Sequence, residues 1–180
     1  MLLDQTRSAL LIIDVQDRLM PAMADRDDVV ANIVILMRAA HRMAVPILLS
    51  RQYPKGLGDV VEPVRDAAGD ALVYDKLAFS CFADESLRHA MRDMGRDQFV
   101  VAGVEAHVCV LQSAADLISE GYQTAVVADA VSSRRAASKQ TALARLAQHN
   151  ADIVTAEMVL FEWLREAGGE AFKELSALIR

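Results

Sequence analysis

Short apolar segments alternate with helical segments along this chain of 180 residues, and this alternation restricts the possible folds more than any other feature. The apolar segments are rich in Val, Ile and Leu and lack regular polar alternation, which is typical of strands buried on both faces of a parallel sheet. Helices between such strands imply right-handed crossover connections that cover both faces of the sheet. The sequence therefore predicts an α/β protein, a three-layer α/β/α sandwich with a six-stranded parallel sheet.

The pattern also predicts where these elements lie. Strands are expected at residues 9–14, 46–50, 71–74, 99–104, 124–128 and 152–155. Helical spacing of apolar residues predicts helices at 28–43, 85–94, 138–149, 157–166 and 170–179, and another that follows Cys109 and stops at Gly121. Residues 51–63, which include Pro54, Gly56 and Gly58, form a long segment without such a pattern. Long irregular segments in folds of this class usually serve the site.

Composition narrows the classes of function. With 53% hydrophobic residues, a chain of this length predicts one domain over residues 1–180 with an ample core. A net charge of −6 and scattered basic residues argue against a nucleic-acid partner, since phosphate binding needs a positive face. Two cysteines make no disulfide framework and lack zinc-site spacing, so we expect a reducing, cytoplasmic location. The apolar run at 10–13 is too short to span a bilayer, and no membrane partner is expected.

Cys109 follows the predicted strand at 99–104, where a Gly-containing turn leads into a helical pattern. This places a thiol on the first turn of a helix. Unpaired N–H groups and the positive end of the helix dipole favour an anion there, so the thiol is expected to tend toward the reactive thiolate.

Asp14 ends the predicted strand at 9–14 and Lys76 follows the one at 71–74, and ligands bind beyond the carboxyl ends of strands in open parallel sheets. Each residue also has an ordinary structural interpretation. Asp14 can be a turn or cap residue and Lys76 a solvated side chain, while inert packing is the default for Cys81 and an alternative for Cys109. The combination favours chemistry, because a nucleophilic thiol needs a proton acceptor, a positive charge and donors for an oxyanion. Asp14 can shuttle the proton while Lys76 offsets the repulsion between carboxylate and thiolate.

Three motifs together resemble the isochorismatase-like cysteine hydrolases, most closely the isochorismatase domain-containing subgroup. They are Leu-Ile-Ile-Asp-Val-Gln at 11–16, Lys76 followed by Phe-Ser at 79–80, and Gly-Val-Glu-Ala-His-Val-Cys-Val at 103–110, with Asp-Ala-Val-Ser-Ser-Arg at 129–134 extending the likeness. The resemblance implies a sheet ordered 3-2-1-4-5-6 and a catalytic triad of Asp14, Lys76 and Cys109. It further implies a cis peptide at Val104-Glu105 and oxyanion donors from the backbone amides of Glu105 and Cys109.

Departures from relatives narrow the expected chemistry. Similar nicotinamidases carry an Asp-x-His metal motif after the second strand, where this chain has Ser-Arg-Gln-Tyr-Pro at 50–54. The four histidines are dispersed at 41, 89, 107 and 149, so no metal and no cofactor are expected. True isochorismatases cleave a vinyl ether without a nucleophilic thiol, which makes that reaction less favoured here. Dinucleotide binding is disfavoured because no Gly-rich turn follows the first strand.

The leading hypothesis is therefore hydrolysis of a small amide or carbamoyl C–N bond through a thioester on Cys109, acting on a small-molecule substrate. Position alone suggests four pocket walls, which can equally be core residues: Gln16, Tyr53, Phe79 and Phe82. The alternative is a binding or interaction module that keeps the fold with little catalytic use, since fold does not fix function. A mean hydropathy of +0.20 and eight methionines suggest surface buried in a homo-oligomer.

Overall fold

A parallel sheet forms the centre of the computed structural model, which describes residues 2–179. Its strands are β1 (Ser8–Ile13), β2 (Ile47–Gln52), β3 (Leu72–Lys76), β4 (Gln98–Val104), β5 (Gln123–Ser132) and β6 (Asp152–Val154). They lie in the order β3-β2-β1-β4-β5-β6, and every neighbouring pair is parallel. The predicted fold class and strand order are confirmed.

Helices cover both faces of the sheet. They are α1 (Arg26–Arg42), α2 (Pro54–Leu57), α3 (Glu62–Ala68), α4 (Glu85–Asp93), α5 (Leu111–Ser119), α6 (Ala136–Gln148), α7 (Ala156–Leu164) and α8 (Gly169–Ser176). Buried residues of α1, α3, α7 and α8 form the core on one face, and those of α4, α5 and α6 form the core on the other. Within residues 2–179, no helix is long and apolar enough to cross a membrane.

The central strand β1 shows why its sequence lacks polar alternation. Leu10 and Ile12 pack into the core beneath α1, while Leu11 and Ile13 pack into the opposite core. Each of these side chains is at most 1% exposed. Because both faces of the strand are buried, its positions from Ala9 to Ile13 are all apolar. The buried Ser8 hydroxyl at its start is hydrogen-bonded to Trp163 and Gln98.

The segment predicted to be irregular, residues 51–63, is more ordered than its sequence indicates. β2 continues to Gln52 because Arg51 and Gln52 still pair with Asp75 and Lys76 of β3. The chain then forms α2 and enters α3 at Glu62. A helix as short as α3 buries only Val64 and Ala68, which is too weak a pattern to detect in sequence.

Gly103 lets β4 approach β1 closely just before the turn that carries Cys109. Its φ is +115°, and a Cβ added there would lie 2.1 Å from the carbonyl oxygen of Ile13. No other residue fits both the conformation and the contact. The glycine therefore holds the end of β4 against the end of β1, where Asp14 follows.

Candidate active site

Asp14 lies at the end of β1 with its side chain fully buried. The Ser50 hydroxyl donates to its Oδ1 atom at 2.7 Å, and the Lys76 ammonium donates to its Oδ2 atom at 2.7 Å. Ser50 belongs to β2 and Lys76 to β3, so three adjacent strands bring these groups together. The carboxylate is thus held by one neutral donor and one positive charge in a place closed to water.

Lys76 is held by several acceptors around its ammonium group. Besides Asp14, it donates to Gln52 Oε1 at 2.7 Å and to the carbonyl oxygens of Phe79 at 3.1 Å and Ala78 at 3.3 Å. Burial opposes its charge, but the Asp14 carboxylate and the two nearby thiols outweigh that effect and raise the pKa of Lys76 above its ordinary value. Lys76 therefore supplies a permanent positive charge to the site at neutral pH.

Cys109 lies on one π-helical turn, Ala106–Val110, that joins β4 to α5. The residue is 6% exposed, and its thiol lies close enough to Asp14 and Lys76 for both charges to act on it. Burial first, and then the negative charge of Asp14, raise the pKa of Cys109, and Lys76 offsets only part of this. The expectation of a resting thiolate is wrong: burial and Asp14 outweigh the helix terminus, so at rest the proton stays on sulfur.

The second cysteine and Ser50 belong to the same network, which sequence reasoning missed. Cys81 is fully buried, and its thiol donates to Ser50 Oγ at 3.5 Å, while Ser50 donates in turn to Asp14. The Cys81 amide donates to Ser113 Oγ at 2.8 Å. Burial, followed by the charge of Asp14, raises the pKa of Cys81 to about 11. The one available signal for Ser50 was its place as a polar residue at the end of the predicted strand at 46–50.

The peptide bond between Val104 and Glu105 is cis, as the resemblance implies. The Glu105 carboxylate accepts hydrogen bonds from the Arg134 backbone amide at 3.1 Å and from the Arg134 guanidinium at 3.0 Å. Within residues 2–179, the backbone N–H of Glu105 donates to no acceptor. Glu105 therefore has its side chain engaged with Arg134 while its amide stays available.

The four tentative pocket residues divide into two pairs. Tyr53 and Phe79 are each 52% exposed, at the ends of β2 and β3 beside Lys76. Gln16 is fully buried, and its amide bonds the backbone of Gln52 and Gly58. Phe82 is 5% exposed and packs edge-on against Tyr122. The structure thus places Tyr53 and Phe79 at the rim of the site, whereas Gln16 supports the residue that holds Lys76 and Phe82 lies in the core.

The arrangement combines a thiol, a carboxylate and an ammonium group without a cluster of metal ligands. In the part of the chain that the structure describes, no three His, Cys, Asp or Glu side chains converge to hold a metal ion. The histidine nearest in sequence to Cys109 is His107, and its Nδ1 atom is paired with Ser133 Oγ at 2.9 Å. Such a set of groups can transfer a proton and make a covalent bond through sulfur.

The raised thiol pKa values predict a loss of stability at alkaline pH. An unfolded thiol releases its proton near pH 8.5, whereas folded Cys81 keeps it to about 11 and the pKa of folded Cys109 is also raised. Stability is therefore fully present below about pH 8.5 and falls as pH rises toward the folded values, by about 2 kcal/mol at pH 10 for Cys81, with a further loss from Cys109. Urea unfolding at pH 7.5 and pH 10 measures this. A Cys81→Ala, Cys109→Ala double variant should show a clearly smaller drop, and an equal drop would contradict the shifts.

Comparison with known sequences places this geometry in a family. A family model described as the isochorismatase domain matches residues 8–158. The chain is 36% identical over 173 residues to isochorismatase domain-containing protein 2 of Danio rerio, covering 96% of this chain and 86% of that protein. It is also 36% identical over 179 residues to isochorismatase domain-containing protein 1 of Danio rerio, with 99% of this chain covered. The chain spans 62% of the length of that longer relative.

Solved structures agree on the fold. A structure described as MAR1 ribonuclease from Caenorhabditis elegans superposes with a TM-score of 0.93 at 29% identity, covering 99% of this chain and 92% of that one. The YcaC product of Escherichia coli, described as an octameric hydrolase of unknown specificity, has a TM-score of 0.93 at 25% identity, with 98% and 90% covered. Together with the family model and the sequence relatives, these likenesses show that the chain belongs to the isochorismatase-like family.

Proposed function

We propose that this protein is a cysteine hydrolase that cleaves a small amide or carbamoyl C–N bond through a thioester on Cys109, with Asp14, Lys76 and Cys109 as its triad. The observation that carries the proposal is the position of Asp14. Its carboxylate accepts a hydrogen bond from the Lys76 ammonium in a buried site, and its charge acts on the Cys109 thiol. A base beside a protonated thiol is what nucleophilic attack by sulfur requires.

In the acylation step, the Cys109 sulfur attacks the carbonyl carbon while its proton moves to Asp14. Asp14 then gives that proton to the leaving nitrogen, the C–N bond breaks, and the thioester remains. In the second step, Asp14 takes a proton from water, whose oxygen attacks the thioester. Asp14 then returns this proton to sulfur as the C–S bond breaks, which releases the acid and restores the thiol. Lys76 keeps a positive charge beside Asp14 in both steps, so the carboxylate can act as a base while the site stays neutral overall.

The oxyanion formed on the substrate needs donors close to the sulfur. The backbone amide of Glu105 is a suitable donor, because no acceptor within residues 2–179 uses it and it precedes the turn that carries Cys109. We assign the second donor to the backbone amide of Cys109. Donors fixed in this way stabilise charge that develops only as the bond forms.

The test is a panel of small primary amides and N-carbamoyl compounds, with ammonia and acid measured together. The proposal expects at least one compound to release ammonia and acid in equal amounts, in a reaction that iodoacetamide pretreatment blocks. Release that persists after complete alkylation of Cys109 would contradict it.

A binding module is the second candidate function, and one observation favours it. The Cys109 thiol is protonated at rest and nearly closed to solvent, as an inert buried cysteine would be. A module would bind members of the amide panel without consuming them. Calorimetric binding with no product after long incubation would therefore favour the module over the hydrolase.

RNA cleavage is not proposed, although the Caenorhabditis elegans neighbour is described as a ribonuclease. The net charge of −6 repels a polyanion, and the buried Asp14 carboxylate repels a phosphate at the reacting atoms. We expect a structured RNA to stay intact during overnight incubation with the protein, as judged on a denaturing gel.

We also propose a homo-oligomer in the cytoplasm. The octameric assembly described for Escherichia coli YcaC supports the first part. Two free cysteines support the second, since reducing compartments keep thiols free. A relative from Phytophthora sojae, 34% identical over 177 residues, is named a secreted isochorismatase effector. If this chain is cytoplasmic, cellular location differs within the family.

A further inference from the structure

Exposed apolar side chains concentrate on one edge of the molecule. Of the eight large hydrophobic residues that are exposed in the described part of the chain, five lie on β3 or beside its carboxyl end. We call them the β3-edge patch: Tyr53, Leu72, Val73, Leu77 and Phe79, with exposures of 41% to 75%. Scattered apolar residues need no explanation, but a cluster of this kind marks an interaction site.

The backbone at this patch is also open. β3 is the edge strand of the sheet, and its only partner strand within residues 2–179 is β2. Leu72 and Val73 are consecutive and point to opposite faces, yet both are exposed. At Leu72 and Val73 the edge is therefore uncovered on both faces, and within residues 2–179 no strand pairs with its outer side. Natural proteins avoid such an edge in a free monomer.

The charges near the patch indicate what covers it. Arg51, beside the patch, is paired with Asp75 at 2.7 Å and with Asp59 at 2.8 Å. Asp59 also lies 4.0 Å from Arg65, so two positive and two negative groups offset one another. A charged partner would find no complementary field there. A second copy of the same patch is apolar and neutral in the same way, and two-fold contacts between identical surfaces are the commonest protein assembly.

We propose that a second copy of this chain packs its own β3-edge patch against this one, and that this contact completes the active site beside Lys76. The proposal rests on the homo-oligomer proposed above and states which surface forms it.

The link to the active site runs through the segment that follows β3. The carbonyl oxygens of Ala78 and Phe79 accept hydrogen bonds from the Lys76 ammonium, while the Phe79 side chain belongs to the patch. Tyr53 donates its backbone N–H to the Lys76 carbonyl oxygen at 3.0 Å. A copy that covers Leu77 and Phe79 therefore fixes the backbone that holds Lys76 and forms a wall at the rim of the site.

The experiment compares Leu77→Asp with Met158→Asp by sedimentation velocity over a range of protein concentrations. Leu77 is 75% exposed and Met158 on α7 is 45% exposed, so neither substitution disturbs the core. We expect wild type and Met158→Asp to sediment alike as oligomers. Leu77→Asp should weaken the β3-edge contact at least about tenfold, because a charge in an apolar interface is costly. Circular dichroism and urea midpoints confirm that both variants are folded.

The outcomes separate this inference from the proposed hydrolase. If Leu77→Asp associates as tightly as wild type, or if only Met158→Asp dissociates, the β3-edge contact is overturned whatever the enzyme does. A monomeric wild type at tens of micromolar would overturn it as well. If Leu77→Asp dissociates but its turnover per chain stays at the wild-type value, the contact stands and its role in completing the site is refuted.

Discussion

Replacing Cys109 with alanine is expected to abolish turnover, with a loss of at least about 10⁴-fold in the rate of amide hydrolysis. The reason is that no other group in the site can form the acyl intermediate, since Cys81 is fully buried behind Ser50. The fold should persist, because the substitution removes only the sulfur of Cys109, a residue that is 6% exposed. Ammonia release and the urea midpoint measure both effects on the same preparation.

Cys81→Ala is the matched control for this prediction. It removes a thiol from the same hydrogen-bonded network but leaves Asp14 with its bonds from Ser50 and Lys76. We expect it to keep turnover within about tenfold of wild type, since a positioning effect is smaller than loss of a nucleophile. Equal losses in the two variants would mean that the thiols act through packing, and retained activity in Cys109→Ala would exclude covalent catalysis.

Replacing Asp14 with asparagine is expected to change thiol reactivity and turnover in opposite directions. The negative charge of Asp14 raises the pKa of Cys109. Without that charge, and with Lys76 still nearby, the pKa should fall, so more thiolate is present at pH 7.5 and alkylation by iodoacetamide speeds up by about tenfold or more. Hydrolysis should nevertheless be lost, because no base remains to carry the proton to the leaving nitrogen.

Asparagine suits this test because Asp14 has a φ of +53°, a conformation that Asn tolerates better than other residues with a Cβ. The measurement is the alkylation rate of Cys109 against pH, followed by peptide mass spectrometry. Ser50→Ala serves as the control, since it removes one hydrogen bond to Asp14 without changing the charge. Slower alkylation in Asp14→Asn than in Ser50→Ala would contradict the electrostatic account of the site.

The main parts of the site could be predicted from the sequence because parallel strands end at a common edge. Asp14 follows β1, Lys76 ends β3 and Cys109 lies in the turn after β4. The alternation of segments predicts that those strand ends meet. The fold class follows from the same alternation, whereas the strand order was implied only by the resemblance to the family. Strand ends were less accurate: β5 runs to Ser132, four residues past the predicted end, because Val131 and Ser132 resume the pairing with β4 after a shift in register.

The protonation state of Cys109 could not be predicted from the sequence, because it depends on burial and on a charge that lies 95 positions away in the chain. The contacts of Ser50, Gln52 and Cys81 were missed for a similar reason. They join residues 24 to 36 positions apart, and none belongs to a local pattern. For Gln16, position in the sequence suggested a pocket wall. In the structure its side-chain amide donates hydrogen bonds to the backbone carbonyl oxygens of Gln52 and Gly58.

Detection of an acyl group on Cys109 tests the central claim most directly. The wild-type protein is mixed with p-nitrophenyl acetate as an activated acyl donor, quenched in acid, digested, and mapped by mass spectrometry. The account predicts an acetyl group on the Cys109 peptide that is removed by hydroxylamine, is absent in Cys109→Ala, and accumulates and decays at rates that match product release. An acetyl group found only on other residues, or product release with no acylated Cys109 peptide, would contradict the thioester mechanism.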